Sequence, residues 1–352
     1  MRAHPECARR HRLLSLCTVG AAIVAACKFS AGVEDRVVDA LPDASACATA
    51  STECLDGDTL RTCVAAGDAA TDRICAWGCR TTPFARCAEI VPAGGGVMPT
   101  DVAPSTELGV LVFEPGTTID GDNGRIGTAA EADKYRASGP VGVMNGIDYQ
   151  VRGNIAVFRF TKLRIAGALT LIGSRSIALV ADGEILVEGV VDARGSCVGS
   201  NAGPGGFAGG FKQGGKGSGS GGGSGAIGAN EGGGGGGYGG TGGSGGNGVF
   251  AAGGGPYGDA TITLLFGGAG GGGGSGGTNS GSGGGGGGAV QLVSNARILI
   301  SGGINAGGCG GQTGVNGNDG GGGGGAGGTI LVEGKVVEIS GTLAVNGGGG
   351  GG

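Results

Sequence analysis

The chain has 352 residues, a formal net charge of -5 and only 4% aromatic residues. A slightly acidic chain with so few aromatic side chains lacks both the basic surface and the stacking platforms of a nucleic-acid-binding protein, so no nucleic-acid partner is expected. Glycine fills 94 positions, and 73 of these glycines lie in residues 195–352, between short apolar runs that resemble one another. This arrangement predicts glycine-rich loops on a repeated scaffold.

The first 26 residues have the pattern of a secretory leader. Four arginines come before an apolar stretch, Leu13–Ala26, that is too short to span a bilayer as a helix of the mature protein. The stretch ends in Val24-Ala25-Ala26-Cys27, and small residues before a cysteine resemble the lipobox of bacterial lipoproteins. We interpret residues 1–26 as a lipoprotein signal peptide and Cys27 as the lipidation site; ordinary signal-peptidase cleavage is the alternative.

The predicted partner is a membrane, to which the protein would be attached by the lipid anchor at Cys27. Lys28 stands where an acidic residue would retain the protein at the inner membrane, so we expect secretion across that membrane to the outer membrane or cell surface. Both histidines, His4 and His11, lie in the leader. A mature chain without imidazole excludes Ser-His-Asp and Cys-His catalysis and histidine-ligated metals, and no cofactor is expected.

Residues 27–46 are predicted to be a flexible tether, and residues 47–91 a disulfide-rich module. A module this short buries little apolar surface, so cross-links of about 2–4 kcal/mol each would stabilise it. Their connectivity is one of 15 possibilities. Zinc is the alternative, although the usual C-x2-C pairs are missing. Six cysteines fall within the module: Cys47, Cys54, Cys63, Cys75, Cys79 and Cys87.

Residues 92–153 are predicted to be a hinge, marked by a proline and three glycines, followed by a β-rich segment. A strand is expected at Leu108–Phe113. The acidic run Asp120–Gly124 suggests a calcium loop, but it departs from the EF-hand pattern, and a plain turn is favoured. Trp77, the only tryptophan, is expected to pack in a core rather than to stack on a ligand.

Residues 154–352 contain an internal repeat with offsets of 22, 113 and 39 residues. Each copy has two apolar-alternating strands, a bend at a glycine and a third short strand. The repeat predicts a mainly β fold, a right-handed β-solenoid-like scaffold with glycine-rich insertions, and a sandwich of unrelated strands is the alternative. Because the chain stops in a glycine run after a strand unit, we expect the natural chain to continue beyond Gly352. The bend glycines are Gly167, Gly189, Gly302 and Gly341.

The glycine insertions often run in triplets, as in residues 236–247. Three residues is the period of polyproline II, and helices with two bare faces could pack closely. Ordering glycine costs more conformational entropy than ordering any other residue, so polyproline II helices and disordered loops both remain open. Within the first insertion, Ala260–Leu265 is predicted to be a lone strand.

Cys197 and Cys309 each stand at the start of a glycine insertion, within one position of each other under the 113-residue offset. If the copies stack, a disulfide between these cysteines would clamp the bases of the insertions together. Aromatic residues scattered through the insertions either contact polysaccharide or pack the insertions onto the scaffold. They are Phe207, Phe211, Tyr238, Phe250 and Tyr257.

Four features occur together in this chain: the lipobox, the Cys54–Asp58 run with its module, the Ala202–Gly210 run, and the strand units before glycine runs. In this combination the chain resembles the glycine-rich surface lipoproteins of myxobacteria, an uncharacterised family, and the resemblance implies a location more than an activity. The tracts are also similar to mycobacterial glycine-rich repeat domains and to a polyproline II antifreeze bundle of an arthropod. The irregular triplets and the strand repeats depart from the antifreeze.

These features favour a non-enzymatic, lipid-anchored cell-surface protein with a structural, adhesive or matrix role and polysaccharide or other surface components as partners. One alternative is an ice- or polysaccharide-binding module, with Thr, Ser and Asn at triplet positions as its polar face. A second alternative is a polysaccharide-active β-solenoid enzyme, an analogy of fold alone. Its candidate carboxylates, Asp182, Glu184 and Glu188, fall on the polar outer face of their strands.

Overall fold

The computed structural model describes residues 47–75, 77–247 and 251–352, so the predicted signal peptide, the predicted tether with Cys27, and Phe250 lie outside the described residues. The described chain is mainly β, with a 3-10 helix at Pro99–Val102. Its strands are β1 (Ser51–Cys54), β2 (Thr59–Cys63), β3 (Thr71–Ile74), β4 (Cys79–Arg80), β5 (Arg86–Cys87), β6 (Val110–Phe113), β7 (Thr117–Asp120), β8 (Ile126–Thr128), β9 (Gly142–Met144), β10 (Ile147–Arg152), β11 (Ile155–Phe160), β12 (Lys162–Ile165), β13 (Leu169–Ile172), β14 (Ser176–Ala181), β15 (Ile185–Val187), β16 (Val190–Asp192), β17 (Ala289–Ile300), β18 (Gly303–Asn305), β19 (Thr329–Ile339) and β20 (Thr342–Ala344).

The disulfide-rich module consists of a three-stranded antiparallel sheet, β1 to β3, and a hairpin of β4 and β5. Asp56 fixes the turn between β1 and β2, because its Oδ1 accepts the N–H groups of Asp58 and Thr59 at 2.8 and 2.6 Å. Three bridges then tie the short strands together where a core would otherwise do so. They join Cys47 to Cys63, Cys54 to Cys79, and Cys75 to Cys87.

From β11 onward, equivalent strands of successive copies pair in parallel. The first and second strands of the copies belong to a nine-stranded sheet that curls into a half-barrel, and the third strands belong to a six-stranded sheet. Leu163 of β12 pairs with Ile185, which pairs with Ile298, and Gly303 pairs with Thr342. These partners are 22, 113 and 39 residues apart, which are the offsets of the sequence repeat.

A glycine bends the chain between the second and third strands of each copy. The N–H groups of Gly189, Gly302 and Gly341 donate at 3.0 to 3.1 Å to the last strand residue of the copy below. The N–H group of the preceding residue donates to the same carbonyl at 2.9 to 3.0 Å. The bend therefore recurs with the same hydrogen bonds in successive copies.

The first strands of the first three copies, which are β11, β14 and the start of β17, are buried on both faces, which explains continuous apolar runs such as Ser176–Ala181. On the inner face, Phe158, Leu179 and Leu292 belong to the main core. On the outer face, Val157, Val180 and Val293 pack in a second cluster. The residues that cover this outer face are Ile90, Val97, Val102 and Leu265, with Trp77 partly buried beside them.

Residues 92–97, where the sequence predicts a hinge, lie against this outer face. Gly94 donates its N–H to the carbonyl of Ile262 at 2.9 Å, and its own carbonyl accepts the N–H of Leu265 at 3.0 Å. Ala93 donates its N–H to Glu333 Oε1 at 2.9 Å. These bonds hold residues 93 and 94 against the sheet.

The predicted strand at Ala260–Leu265 is absent, because a turn occupies this position. The Asp259 carboxylate accepts the N–H and hydroxyl of Thr261 and the hydroxyl of Thr263 at 2.7 to 3.0 Å. These bonds lower the pKa of Asp259 to about 2. Ile262 has a φ of 46°, outside the β region. A short acidic side chain thus competes with a β ladder for the local donors.

The segment before the repeats closes one end of the parallel sheets, since β10 pairs antiparallel with β11 and β8 with β7. Asp101 of the 3-10 helix, 3% exposed, lies at this end and forms ion pairs with Arg152 and Arg159. Burial disfavours its charged form, but the Arg152 hydrogen bond and the Met98 N–H outweigh burial and lower the pKa of Asp101. These two ion pairs fix the 3-10 helix to β10 and β11.

Candidate functional site

The glycine-rich insertions leave the sheets after β16, β18 and β20 and lie side by side as one body, which we call the glycine bundle. It comprises residues 203–288, 306–328 and 346–352, and its described residues contain no regular strand. Backbone N–H and C=O groups of neighbouring segments pair with one another throughout. The bundle therefore satisfies its buried backbone groups without a β ladder.

Hydrogen bonds in the glycine bundle recur every third residue. In the buried segment 281–287, donors three residues apart face one neighbour, and the donors between them face another. The first set is Gly281, Gly284 and Gly287, which donate to Gly320, Gly323 and Ala326 at 2.8 to 2.9 Å. The second set is Gly283 and Gly286, which donate to Gly210 and Phe207 at 2.8 and 3.0 Å.

Close approach of these backbones explains why the segments are glycine. A Cβ added to Gly284 would lie 1.9 Å from the carbonyl oxygen of Cys309, and one added to Gly286 would lie 1.9 Å from that of Gly268. Such distances cannot be relieved by a rotamer change, since the obstructing atoms are backbone. At these positions the interior of the bundle admits only glycine, and the side chains that the bundle does bury are mostly small.

The outer segment 239–247 is different. A Cβ added to Gly240 or Gly243 would meet nothing within 4 Å. The polar residues of the predicted triplets, Thr241, Ser244 and Asn247, are exposed along this segment. They form a row of hydroxyl and amide groups that one edge of the bundle presents to solvent.

Cys197 and Cys309 form a disulfide at the base of the bundle, with their Cα atoms 5.0 Å apart. The bridge closes a loop across a sequence separation of 112, which contains the whole first insertion. Cys309 also donates its N–H to Gly285 and accepts the N–H of Gly325, at 2.9 and 2.8 Å. Cys309 thereby links two segments of the bundle to the base of the loop.

Three of the predicted aromatic residues pack together. The Tyr257 ring lies 6.3 Å from Phe207 and 5.0 Å from Tyr238, both in edge arrangements. The Tyr257 hydroxyl donates to the Gly267 carbonyl at 2.6 Å, and burial raises the pKa of Tyr257. Phe211 is 68% exposed. The first three rings are partly buried and therefore fix the insertion, whereas Phe211 faces solvent.

Tyr238 lies between two adjoining depressions. The first, of about 310 Å³, is lined by Asp259, Thr329 and Leu343 among others, and the second, of about 480 Å³, by Thr241 and further glycines. Together they form an open surface groove along the outer edge of the bundle, which we call the Tyr238 groove. A partly exposed ring, two hydroxyl groups and one fixed negative charge line it.

The three candidate carboxylates of the outer face differ in whether they pair with an arginine. Glu188 accepts a hydrogen bond from Arg164 at 2.9 Å, and Glu184 lies 3.6 Å from Arg297. Asp182 has no such partner; burial raises its pKa, although backbone N–H groups partly oppose this, and its Oδ1 accepts no hydrogen bond. The arginines neutralise two of the three groups, and Asp182 is left as an isolated carboxyl.

The carboxylate oxygens of the acidic run that begins at the end of β7 accept hydrogen bonds from protein donors. Asp120 accepts the Asp122 N–H at 3.0 Å and the Asn123 amide at 2.7 Å, while Asp122 accepts the Ser174 hydroxyl at 2.7 Å. Across the described ranges, no group of three or more His, Cys, Asp or Glu side chains is arranged to hold a metal ion. The turn interpretation accounts for these contacts.

Within residues 47–75, 77–247 and 251–352, no helix has the length and apolar character needed to cross a bilayer. The chain matches no protein-family model, no curated protein sequence and no solved structure.

Proposed function

We propose that this is a non-enzymatic protein of the outer membrane or cell surface, anchored by a lipid on Cys27, with a structural, adhesive or matrix role. The glycine bundle is the observation that carries this proposal. Its interior is mostly hydrogen-bonded glycine backbone, which suits a rigid extended body. The four disulfides support an oxidising compartment.

We further propose that the parallel copies form a right-handed β-solenoid-like scaffold and that the bundle segments are polyproline II helices. Register offsets equal to the repeat offsets, and the recurring glycine bend, support stacked coils. Right-handedness is the general rule for parallel crossover connections. Hydrogen bonds with a period of three support polyproline II. In this arrangement the scaffold supplies the template that offsets the entropy of ordering glycine.

Complementation of cells that lack the protein tests the structural role. A chain with Gly284→Ala and Gly286→Ala should fail to restore cell cohesion or matrix retention, because both Cβ atoms would collide with backbone. Gly243→Ala, at an open position of the same bundle, should restore them. Equal restoration by both variants would show that the bundle is not the functional element.

The lipid anchor has its own test. Metabolic labelling with palmitate should mark the wild-type chain, and Cys27→Ser should remove the label and release the protein from the membrane fraction.

Incubation with a panel of polysaccharides should liberate no new reducing ends. Release of reducing ends that Asp182→Asn abolishes would refute the non-enzymatic proposal.

A second candidate function, polysaccharide binding, is favoured by the Tyr238 groove. An aromatic ring beside hydroxyl and carboxylate groups suits a sugar, whose apolar face packs on a ring while its hydroxyls find polar partners. Tyr238→Ala should weaken retention in gels containing the bound polysaccharide, whereas Phe211→Ala, at an exposed ring elsewhere, should not. Retention that is the same for wild type and Tyr238→Ala would rule out this groove.

A further inference from the structure

The disulfide-rich module gathers arginines that have no carboxylate partner. Arg73, Arg80 and Arg86 form no ion pair among the described residues, and all three line one groove of about 550 Å³. Arginines without a counter-charge are thus concentrated in a module of a chain that is acidic overall. The arginines that do lie within 4.0 Å of a described carboxylate are Arg61, Arg152, Arg159, Arg164, Arg175, Arg194 and Arg297.

Arg80 and Arg86 stand directly opposite each other on the hairpin of β4 and β5. Side chains at opposite positions of an antiparallel pair point to the same side, and like charges there destabilise the pairing. The neighbouring cysteines, Cys79 and Cys87, are bonded to Cys54 and Cys75, so each strand of the hairpin is tied to the rest of the module. The module therefore holds two positive groups together at a cost that a bound anion would offset.

The third arginine and the walls complete the groove. Arg73 comes from β3, and Leu60 and Val91 supply apolar walls, while Glu89 is its one lining carboxylate. Arg86 is held in place because its Nη1 donates to the Thr82 carbonyl at 2.6 Å and its guanidinium lies 5.3 Å from the Phe84 ring.

Phe84 is 66% exposed beside this groove. Exposed aromatic and basic residues in one patch are typical of surfaces that contact a membrane interface, where the ring enters the headgroup boundary and the cations meet phosphates. Guanidinium forks also match phosphate oxygens in pairs, which a chloride ion or a single carboxylate does less well.

We propose that this arginine groove binds the phosphates of anionic phospholipid headgroups and seats the disulfide-rich module on the membrane surface. Its position rests on the proposed Cys27 anchor, because the module is the first described unit after the tether. A second contact at the groove would fix the orientation of the disulfide-rich module relative to the bilayer.

Co-sedimentation with vesicles tests the groove apart from the anchor. The mature full-length chain with Cys27→Ser carries no lipid, so its binding reports only on the protein surface. It should sediment with vesicles of equimolar phosphatidylcholine and phosphatidylglycerol and not with phosphatidylcholine alone. Each substitution Arg73→Gln, Arg80→Gln or Arg86→Gln should weaken binding about fivefold, and the triple variant about 100-fold. Arg125→Gln, another arginine without an ion pair, is the matched control.

Two measurements separate the proposal from its rivals. Relief of the opposed charges should leave the Tm of Arg80→Gln equal to or above that of wild type, whereas a structural role would lower it. Inorganic phosphate should displace the vesicles more strongly than sodium chloride at equal ionic strength. Equal binding to both vesicle types, or full binding by the triple variant, would overturn the proposal while leaving the palmitate test of Cys27 unaffected.

Discussion

Gly302 lies directly on Gly189 of the copy below it. A Cβ added to Gly302 would be 2.0 Å from the Gly189 carbonyl oxygen, and the next bend glycine, Gly341, lies in the same way on Gly302, at 1.9 Å. The bend glycines thus form a column in which a Cβ on one member would collide with the backbone of the member below it. The repeat of glycine at this position follows from that contact.

Gly302→Ala should therefore destabilise the parallel sheets. The Cβ meets backbone, so the copies must separate locally, and overpacking of this kind costs about 1–3 kcal/mol. Chemical denaturation measures the free energy of unfolding. Gly317→Ala, where a Cβ meets nothing within 4 Å, is the control and should change it by less than about 0.5 kcal/mol. Equal effects of both substitutions would contradict the column.

Substitution inside the glycine bundle should loosen it locally. Gly284→Ala places a Cβ 1.9 Å from the Cys309 carbonyl oxygen, so the hydrogen bonds of the adjoining segment should open. Hydrogen exchange read by mass spectrometry should show faster exchange in peptides covering 306–328, with little change in β11 and β14. Gly243→Ala should leave the exchange pattern as in wild type.

Removal of the bridge between Cys197 and Cys309 should cost a large part of the stability of the bundle. A cross-link that closes a loop of this length lowers the conformational entropy of the unfolded chain. Losing the bridge is therefore expected to lower the free energy of unfolding by about 2–5 kcal/mol. Thermal unfolding of the Cys197→Ser, Cys309→Ser double variant measures this loss. Non-reducing peptide mapping of the wild type should recover the linked peptides; two free thiols would exclude the bridge.

Asp101 and Asp182 should respond to pH with opposite signs. The pKa of Asp101 is lowered in the folded state, so its stabilisation is complete above the unfolded value, about 3.9, and is lost as the pH falls toward the folded value. Asp101→Asn should cost about 3 kcal/mol at pH 7, because Arg152 and Arg159 lose their partner, and the deficit should shrink below about pH 4.

Burial raises the pKa of Asp182 in the folded state. The charged carboxylate therefore destabilises the fold at pH values above the folded pKa, and this penalty is absent below the unfolded pKa. Asp182→Asn should therefore stabilise the protein at pH 7, and the gain should vanish near about pH 4. Denaturant titrations at several pH values measure both variants. Parallel pH profiles for the two substitutions would contradict the assigned environments.

The strand units were readable because apolar alternation and a glycine at a fixed place survive in every copy, and the offset between Leu163, Ile185 and Ile298 follows from them. The second covered face was not predicted, because the repeat indicates alternating strands, although the run at residues 177–181 has no polar side chain. The residues that cover this face were not predicted either, since Val97 and Leu265 come from segments that look like a hinge and a strand. Local hydrogen bonds of Asp259, and contacts across the chain by Gly94, decide those positions.

The pairing inside the glycine bundle could not be read from the sequence for a related reason. A strand's register is marked by which side chains face the core, but consecutive glycines are indistinguishable, and nothing local says whether Gly284 faces Gly323 or a neighbour. The triplets gave the period, which depends on spacing alone. The partner segments depend on where β17 and β19 anchor each end.

The glycine bundle also has a consequence for the gene that encodes it. A glycine codon still specifies glycine only when the change falls at its third base, and any other missense change adds a side chain. At a position such as Gly284 that side chain meets backbone, while at Gly243 it meets solvent. The stretch that looks simplest in composition is thus the one least free to drift, and its outer row is where new surface chemistry could arise by a single nucleotide change.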